Sequence, residues 1–98
     1  MVSQRTVDMI RDNYLGKRII FGYGVLNLLQ GKLLKINDEN FLIENTKILE
    51  NESGIYYSFK NGKLEEALEH SDWKNYSKKA ILSTKDISSE APICEIKR

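Results

Sequence analysis

The chain is poor in the residues that build metal and disulfide sites. Among 98 residues it has one histidine, His70, and one cysteine, Cys94. A lone cysteine cannot form an internal disulfide, and a zinc site needs three or four thiolate or imidazole ligands. No apolar run approaches the ~18 residues needed to span a membrane, and Met1–Ile10 lacks the apolar run of a secretion signal. We therefore expect a cytoplasmic protein with no metal, no cofactor and no membrane partner.

The composition is that of one globular domain, residues 1–98. Hydrophobic residues make up 41% and charged residues 30% of the chain, and there is one proline, which argues against a disordered or collagen-like chain. The net charge is only +1, which argues against a purely electrostatic nucleic-acid binder. The charge is uneven, however, because residues 37–72 hold nine acidic residues against three basic ones.

The N-terminal segment predicts a short helix. Ser3 or Thr6 can cap its start, because a hydroxyl can accept a hydrogen bond from an unpaired N–H of the first turn. Gly16 can adopt the left-handed conformation that ends a helix. The apolar face consists of residues spaced three and four apart: Val7, Ile10 and Tyr14.

Three strands are predicted to follow as a meander. Lys17–Tyr23 alternates as a half-buried strand that Gly22 and Gly24 break, and its apolar face is Ile19, Phe21 and Tyr23. The second strand, Leu28–Ile36, contains Gly31, and an interior glycine marks a sharp bend or a close backbone approach. The third strand is Phe41–Leu49, with apolar positions at Phe41, Ile43 and Ile48.

The turn between the second and third strands is polar. Asn37, Asp38, Glu39 and Asn40 favour a turn because their side chains bond to nearby backbone. The same turn offers amide groups to a base edge, and Phe41 follows with a ring that can stack on a base. A plain polar turn followed by a core phenylalanine is the competing interpretation.

Residues from about 51 to 75 form an acidic excursion. Gly54–Lys63 predicts a hairpin or strand that turns at Asn61-Gly62, and Leu64–His70 predicts a helical turn with Leu64, Ala67 and Leu68 facing inward. Alternation places Tyr57 and Phe59 on one face and Tyr56 on the other. With Trp73, these aromatic residues form either a protein-binding surface or a satellite core. The acidic residues around His70 are interpreted as a solvated helical face: Glu65, Glu66, Glu69 and Asp72.

The remaining chain predicts a fourth strand, Lys78–Ser83, with Ala80 and Leu82 opposite Ile81. A short fifth strand begins at Ile87, and Pro92 ends regular pairing. Lysines near the fourth strand accompany Tyr76 and suit either a nucleic-acid groove or a solvated edge strand: Lys78, Lys79 and Lys85. No nucleophile–base pair is present, so we expect no enzyme and assign no catalytic residue.

The order of elements resembles the Sm-like family. The resemblance covers roughly residues 4–50 and 76–93; its first motif comprises Leu15–Ile20 and Gly31–Ile36, and its second motif is Ala80–Ile87. It implies a mostly β fold: a small, strongly bent five-stranded barrel with an N-terminal α-helix and an insert at about 51–75 between strands three and four. It also implies a homo-oligomeric ring of six or seven subunits, in which strand four of one subunit pairs with strand five of the next.

The resemblance further implies binding of single-stranded RNA near the pore. Position by position, the RNA-binding residues would be Asn37, Asn40, Phe41 and Lys85. The second motif departs from the family pattern because Ser83–Asp86 has neither glycine nor arginine. The alternative is therefore an oligomeric protein-interaction scaffold of the same fold that does not bind RNA.

Overall fold

The computed structural model describes residues 4–97. Five strands form one antiparallel sheet in the order β4-β3-β2-β1-β5. The elements are α1 (Gln4–Tyr14), β1 (Arg18–Tyr23), β2 (Asn27–Ile36), β3 (Asn40–Leu49), α2 (Ser53–Lys60), α3 (Leu64–Glu69), β4 (Lys74–Ser83), a 3-10 helix (Thr84–Asp86) and β5 (Cys94–Glu95). No helix within 4–97 combines the length and apolar character that a membrane crossing requires.

Helix α1 forms as predicted and covers one face of the sheet. Val7 and Ile10 are buried, and the Tyr14 hydroxyl donates a hydrogen bond to the Ile93 carbonyl at 3.0 Å. Gly16 has a φ of +81° after the helix end, and its N–H donates to the Leu33 carbonyl at 2.7 Å. Thr6 lies inside the helix, so it does not cap it. The other predicted cap, Ser3, lies outside the described residues.

The meander of β1, β2 and β3 is confirmed, and β2 approaches β3 closely at Gly31. A Cβ at this glycine would lie 2.7 Å from Ile43 Cγ1 and 2.9 Å from the Glu44 carbonyl oxygen. The register of β2 against β3 shifts beside this glycine, between Gln30 and Lys32, and shifts again between Leu33 and Lys35. The glycine therefore permits a close approach of two backbones, as an interior glycine in a strand suggests.

The sheet is buried on both faces, which makes the prediction of a half-buried β1 wrong. One apolar cluster lies under α1 and includes Ile19, Phe21, Leu29 and Phe41. A second cluster on the opposite face includes Ile20 and Leu28 from the same two strands. Near-continuous apolar runs are typical of strands covered on both sides.

Gly22 does not break β1, contrary to the prediction. It pairs with Leu28 inside the strand, and a Cβ there would lie 2.9 Å from the Ser88 Cβ and 3.1 Å from the Tyr56 ring. The glycine leaves room for the segments that cover the second cluster. Gly24 does form the predicted turn, with a φ of +64°.

The excursion differs most from its prediction. Gly54–Lys63 is not a hairpin, because Ser53–Lys60 is helix α2. Tyr56 and Phe59, three residues apart, face inward, and Tyr57 is 49% exposed. The Asn61-Gly62 turn ends this helix, with Gly62 at a φ of +93°. Helix α3 places Ala67 in the second cluster as predicted, with Leu64 and Leu68 packed against it.

The sheet is not closed into the expected barrel. Among the described residues, β4 and β5 form its two edges. β4 begins four residues earlier than predicted and turns Ala80 and Leu82 toward the first cluster, with Ile81 73% exposed. The predicted fifth strand at Ile87 is only an isolated bridge to Tyr23. The actual β5 follows Pro92 and pairs with Ile19 and Ile20, so the proline precedes this strand.

The approach at Gly31 can be tested by substitution. We expect Gly31→Ala to lower the free energy of unfolding by about 1–3 kcal/mol, because the added methyl group meets both a core side chain and fixed backbone. Gly54→Ala is the matched control, since its Cβ would meet nothing within 4 Å. In helix α2 that change should stabilise the protein by about 0.5–1 kcal/mol. Urea denaturation of both variants measures the difference, and equal stabilities would contradict the account.

Candidate nucleic-acid interface

The turn between β2 and β3 is held by the side chain of its first residue. The Asn37 Oδ1 accepts hydrogen bonds from the backbone N–H groups of Glu39 and Asn40, both at 2.9 Å. The Asn37 N–H donates to the Asn40 carbonyl at 2.9 Å. All four turn residues are exposed. The turn therefore forms a compact polar projection with a fixed backbone.

The 3-10 helix is attached to this turn by a buried threonine. The Thr84 N–H donates to the Glu39 carbonyl, and its Oγ1 donates to the Asn37 carbonyl, both at 2.9 Å. The residue is 0% exposed, so the donor side of both bonds is shielded from water. The attachment brings Asn37, Asn40 and Lys85 to one end of the sheet, although about 45 positions separate the two segments.

Phe41 does not belong to this exposed surface. Its side chain is 2% exposed, and its ring makes edge-to-face contacts with Phe21 at 5.7 Å and Tyr23 at 6.0 Å between centroids. The ring packs in the first cluster, so its face is not available to a base. The alternation of the strand carried this signal, since Phe41 and Ile43 share the core face.

Tyr23 is an aromatic residue beside the 3-10 helix. The resemblance to the Sm-like family does not assign it to the RNA site. Tyr23 is half-buried at the end of β1, and the Gly24 N–H after it donates to the Asp86 carbonyl at 2.7 Å. Burial raises the pKa of the Tyr23 hydroxyl, and the nearby Asp86 charge raises it further. The phenol is therefore neutral at physiological pH and can donate a hydrogen bond.

The charge at this end of the sheet is mixed. Lys85 is exposed beside Asp86, and Asp38 and Glu39 are exposed in the adjoining turn. With three carboxylates against one lysine, these residues give a single copy of this surface no net attraction to a phosphate backbone. Any useful affinity for RNA must come from hydrogen bonding or from several copies acting together.

The predicted lysine cluster does not stay together. Lys79 faces Glu44 across the β3–β4 pair. Lys78 lines a groove with Tyr76 near the start of β4, whereas Lys85 lies beyond the other end of that strand. Only Lys85 remains next to the 37–40 turn.

The acidic residues around His70 do not form a metal centre. Across residues 4–97, no three His, Cys, Asp or Glu side chains are placed to hold an ion together. The His70 Nδ1 accepts a hydrogen bond from the Asp72 N–H at 3.2 Å, which caps the turn after α3. Burial raises the pKa of the Cys94 thiol, which keeps it protonated and less nucleophilic.

Comparisons with known proteins give no family assignment. No protein-family model matches the chain, and no curated protein shows significant sequence similarity to it. The resemblance to the Sm-like family therefore depends on the residues of the two motifs and on the order of the elements.

The attachment of the 3-10 helix can be tested through Thr84. We expect Thr84→Val to lower the free energy of unfolding by about 0.5–1.5 kcal/mol, because valine nearly keeps the volume but removes the hydroxyl that donates to the Asn37 carbonyl. Amide exchange at residues 37–40 should accelerate. Ser71→Ala is the control, since the Ser71 hydroxyl is exposed and makes one long contact of 3.5 Å. Unchanged amide exchange at residues 37–40 in Thr84→Val would show that the turn is stable without its bonds to Thr84.

Proposed function

We propose that this chain is a cytoplasmic, non-enzymatic Sm-like module that assembles into a ring and binds single-stranded RNA. The observation that carries the proposal is the attachment of the 37–40 turn to the 3-10 helix through Thr84. It combines the two segments that the resemblance assigns to RNA, which are far apart in the sequence. Each subunit then presents one small polar surface.

The edges of the sheet support the ring. β4 has ten residues and forms one edge, and β5 forms the other. An unpaired edge strand is a site for association or aggregation, and pairing β4 of one copy with β5 of the next would cover part of the β4 edge and the free edge of β5. Tyr76 and Ile81 on β4 are large and exposed, at 50% and 73%, and become partly covered in such a pair. The proposed ring has six or seven copies.

The chemistry at the turn suits weak, repeated contacts. The Asn37 Oδ1 is engaged in the turn, so its amide nitrogen is the group that reaches a base. Asn40 offers a second amide, and Lys85 a charge for a phosphate. Phe41 supports this surface from inside the core rather than by stacking. Repetition around a ring raises the effective concentration of each contact, so that weak single contacts yield useful affinity.

The alternative is an oligomeric scaffold of the same fold that does not bind RNA. The observation that favours it is a pair of exposed apolar side chains in a groove that Lys85 and Asp86 also line. Tyr57 on α2 is 49% exposed and Val25 in the β1–β2 turn is 79% exposed, and both line one shallow groove. Aromatic residues exposed in this way anchor protein partners, which agrees with a partner at the insert.

Light scattering during size exclusion tests the ring. We expect a mass six or seven times the 11.3 kDa of one chain. Ile81→Asp should reduce this mass, because it introduces a charge at the β4 edge. Val25→Asp makes the same chemical change at another exposed residue, outside the strands, and should leave the mass unchanged. A monomer at every protein concentration would contradict a homo-oligomeric ring.

Titration with a short oligouridylate tests the RNA site. We expect Lys85→Gln to weaken binding about three- to fivefold and to lower the salt dependence by about one phosphate contact. Lys63→Gln, with the same loss of charge at an exposed residue between α2 and α3, is the control. An assembled ring that shows no binding at low salt would exclude the RNA function and leave the scaffold.

A further inference from the structure

A second polar groove lies on the face of the sheet that α2 and α3 cover. It has a volume of about 460 Å³ and is lined by Arg18, Gln30, Lys47, His70 and Trp73, with Ile96 adding apolar surface. We call it the Arg18 groove. Small-ligand sites commonly have volumes of about 300–1,000 Å³, so the groove is large enough for a small organic ligand.

The guanidinium of Arg18 is oriented by neutral acceptors. Its Nη1 donates to the Asn45 carbonyl at 3.1 Å, and its Nη2 donates to the Gln30 Oε1 at 3.2 Å. Partial burial lowers the pKa of this guanidinium, but an arginine stays charged at neutral pH. The side chain is therefore a positioned cation whose charge its partners do not neutralise.

A second cation faces the same groove. Lys47 lies directly opposite Gln30 in the β2–β3 pair, and the register shift between Thr46 and Lys47 lies at this point of β3. Among the residues that the structure describes, no carboxylate lines the groove. Within residues 4–97, neither Arg18 nor Lys47 forms an ion pair. Two like charges that share a groove repel one another, and an anion bound between them would relieve this repulsion.

The wall of the groove carries an aromatic ring in a fixed position. The Trp73 Nε1–H donates to the Ala67 carbonyl at 2.8 Å, and the indole packs against the second cluster. Trp73 is the only tryptophan in the chain. A positioned aromatic ring next to two cations matches the combination that binds single-stranded nucleic acid, in which bases stack and phosphates are neutralised.

We propose that the Arg18 groove binds one nucleotide unit of single-stranded RNA, with the phosphate at Arg18 and Lys47 and the base against Trp73. This site goes beyond the function proposed above because it shares no residue with the 37–40 turn or Lys85. Lys47 pairs with Asn75 near the start of β4, whereas the turn pairs with Ser83 at its end. A free nucleotide carries the same phosphate and base chemistry.

Fluorescence of Trp73 reports on this groove directly. The full chain is titrated at low salt with a short oligouridylate and, separately, with uridine monophosphate. We expect saturable quenching by the oligouridylate at lower concentration than by the mononucleotide. Lys47→Gln should weaken the quenching titration about three- to fivefold, and Lys63→Gln, which lies outside the groove, should not change it. Both lysines are exposed, so neither change disturbs the core.

The outcomes separate this proposal from the proposed RNA site at the turn. Lys85→Gln should leave the quenching of Trp73 unchanged, so failure at one site is measured independently of the other. Absence of quenching with both ligands, or equal quenching in Lys47→Gln and the unchanged protein, overturns the proposal. Saturation by uridine monophosphate with no gain for the oligouridylate also overturns it, because the groove would then bind free nucleotides rather than a strand.

Discussion

Strands β1 and β2 have buried apolar residues on both faces, and the helices and connecting segments cover both faces. Ile19 and Phe21 point toward α1, and Ile20 between them points toward α2 and α3. Burial of apolar surface on both sides makes the excursion a structural layer, since its removal would expose the second cluster to water. The packing against β1 is close at Gly22, because a side chain there would meet the Tyr56 ring of the excursion and the Ser88 Cβ.

The sequence predicts the meander well because its signals are local. The alternation of apolar residues identified the face of β1 that packs toward α1. Gly31 marked the position at which the backbones of β2 and β3 approach closely. The prediction for Gly54–Lys63 was wrong because one local pattern fits two structures. Asn61-Gly62 suits a hairpin turn but also the end of a helix. The spacing of Tyr56 and Phe59, three residues apart, was the signal for helix α2.

The candidate sites differ in how far the sequence could reveal them. The 37–40 turn was found from its residue types, but the role of Thr84 was not, because its partners lie in another part of the chain. The Arg18 groove could not be found at all. Its polar residues lie on β1, β2 and β3 and in the excursion. The register shift in β3 and the packing of Trp73 against the second cluster bring them together. Long-range packing of this kind leaves no periodic pattern in the sequence.

The shortness of β5 has a consequence for how the chain avoids misassembly. Its pairing with β1 involves Ile19 and Ile20, extended by one hydrogen bond from the Ile96 N–H to the Arg18 carbonyl at 2.8 Å. Detachment of so small an element is a local unfolding event that leaves the meander intact. It would uncover the edge of a β-branched, uncharged segment, the kind of strand that recruits other chains into amyloid-like stacks. The contacts that hold β5 against β1 therefore also protect the chain against aggregation.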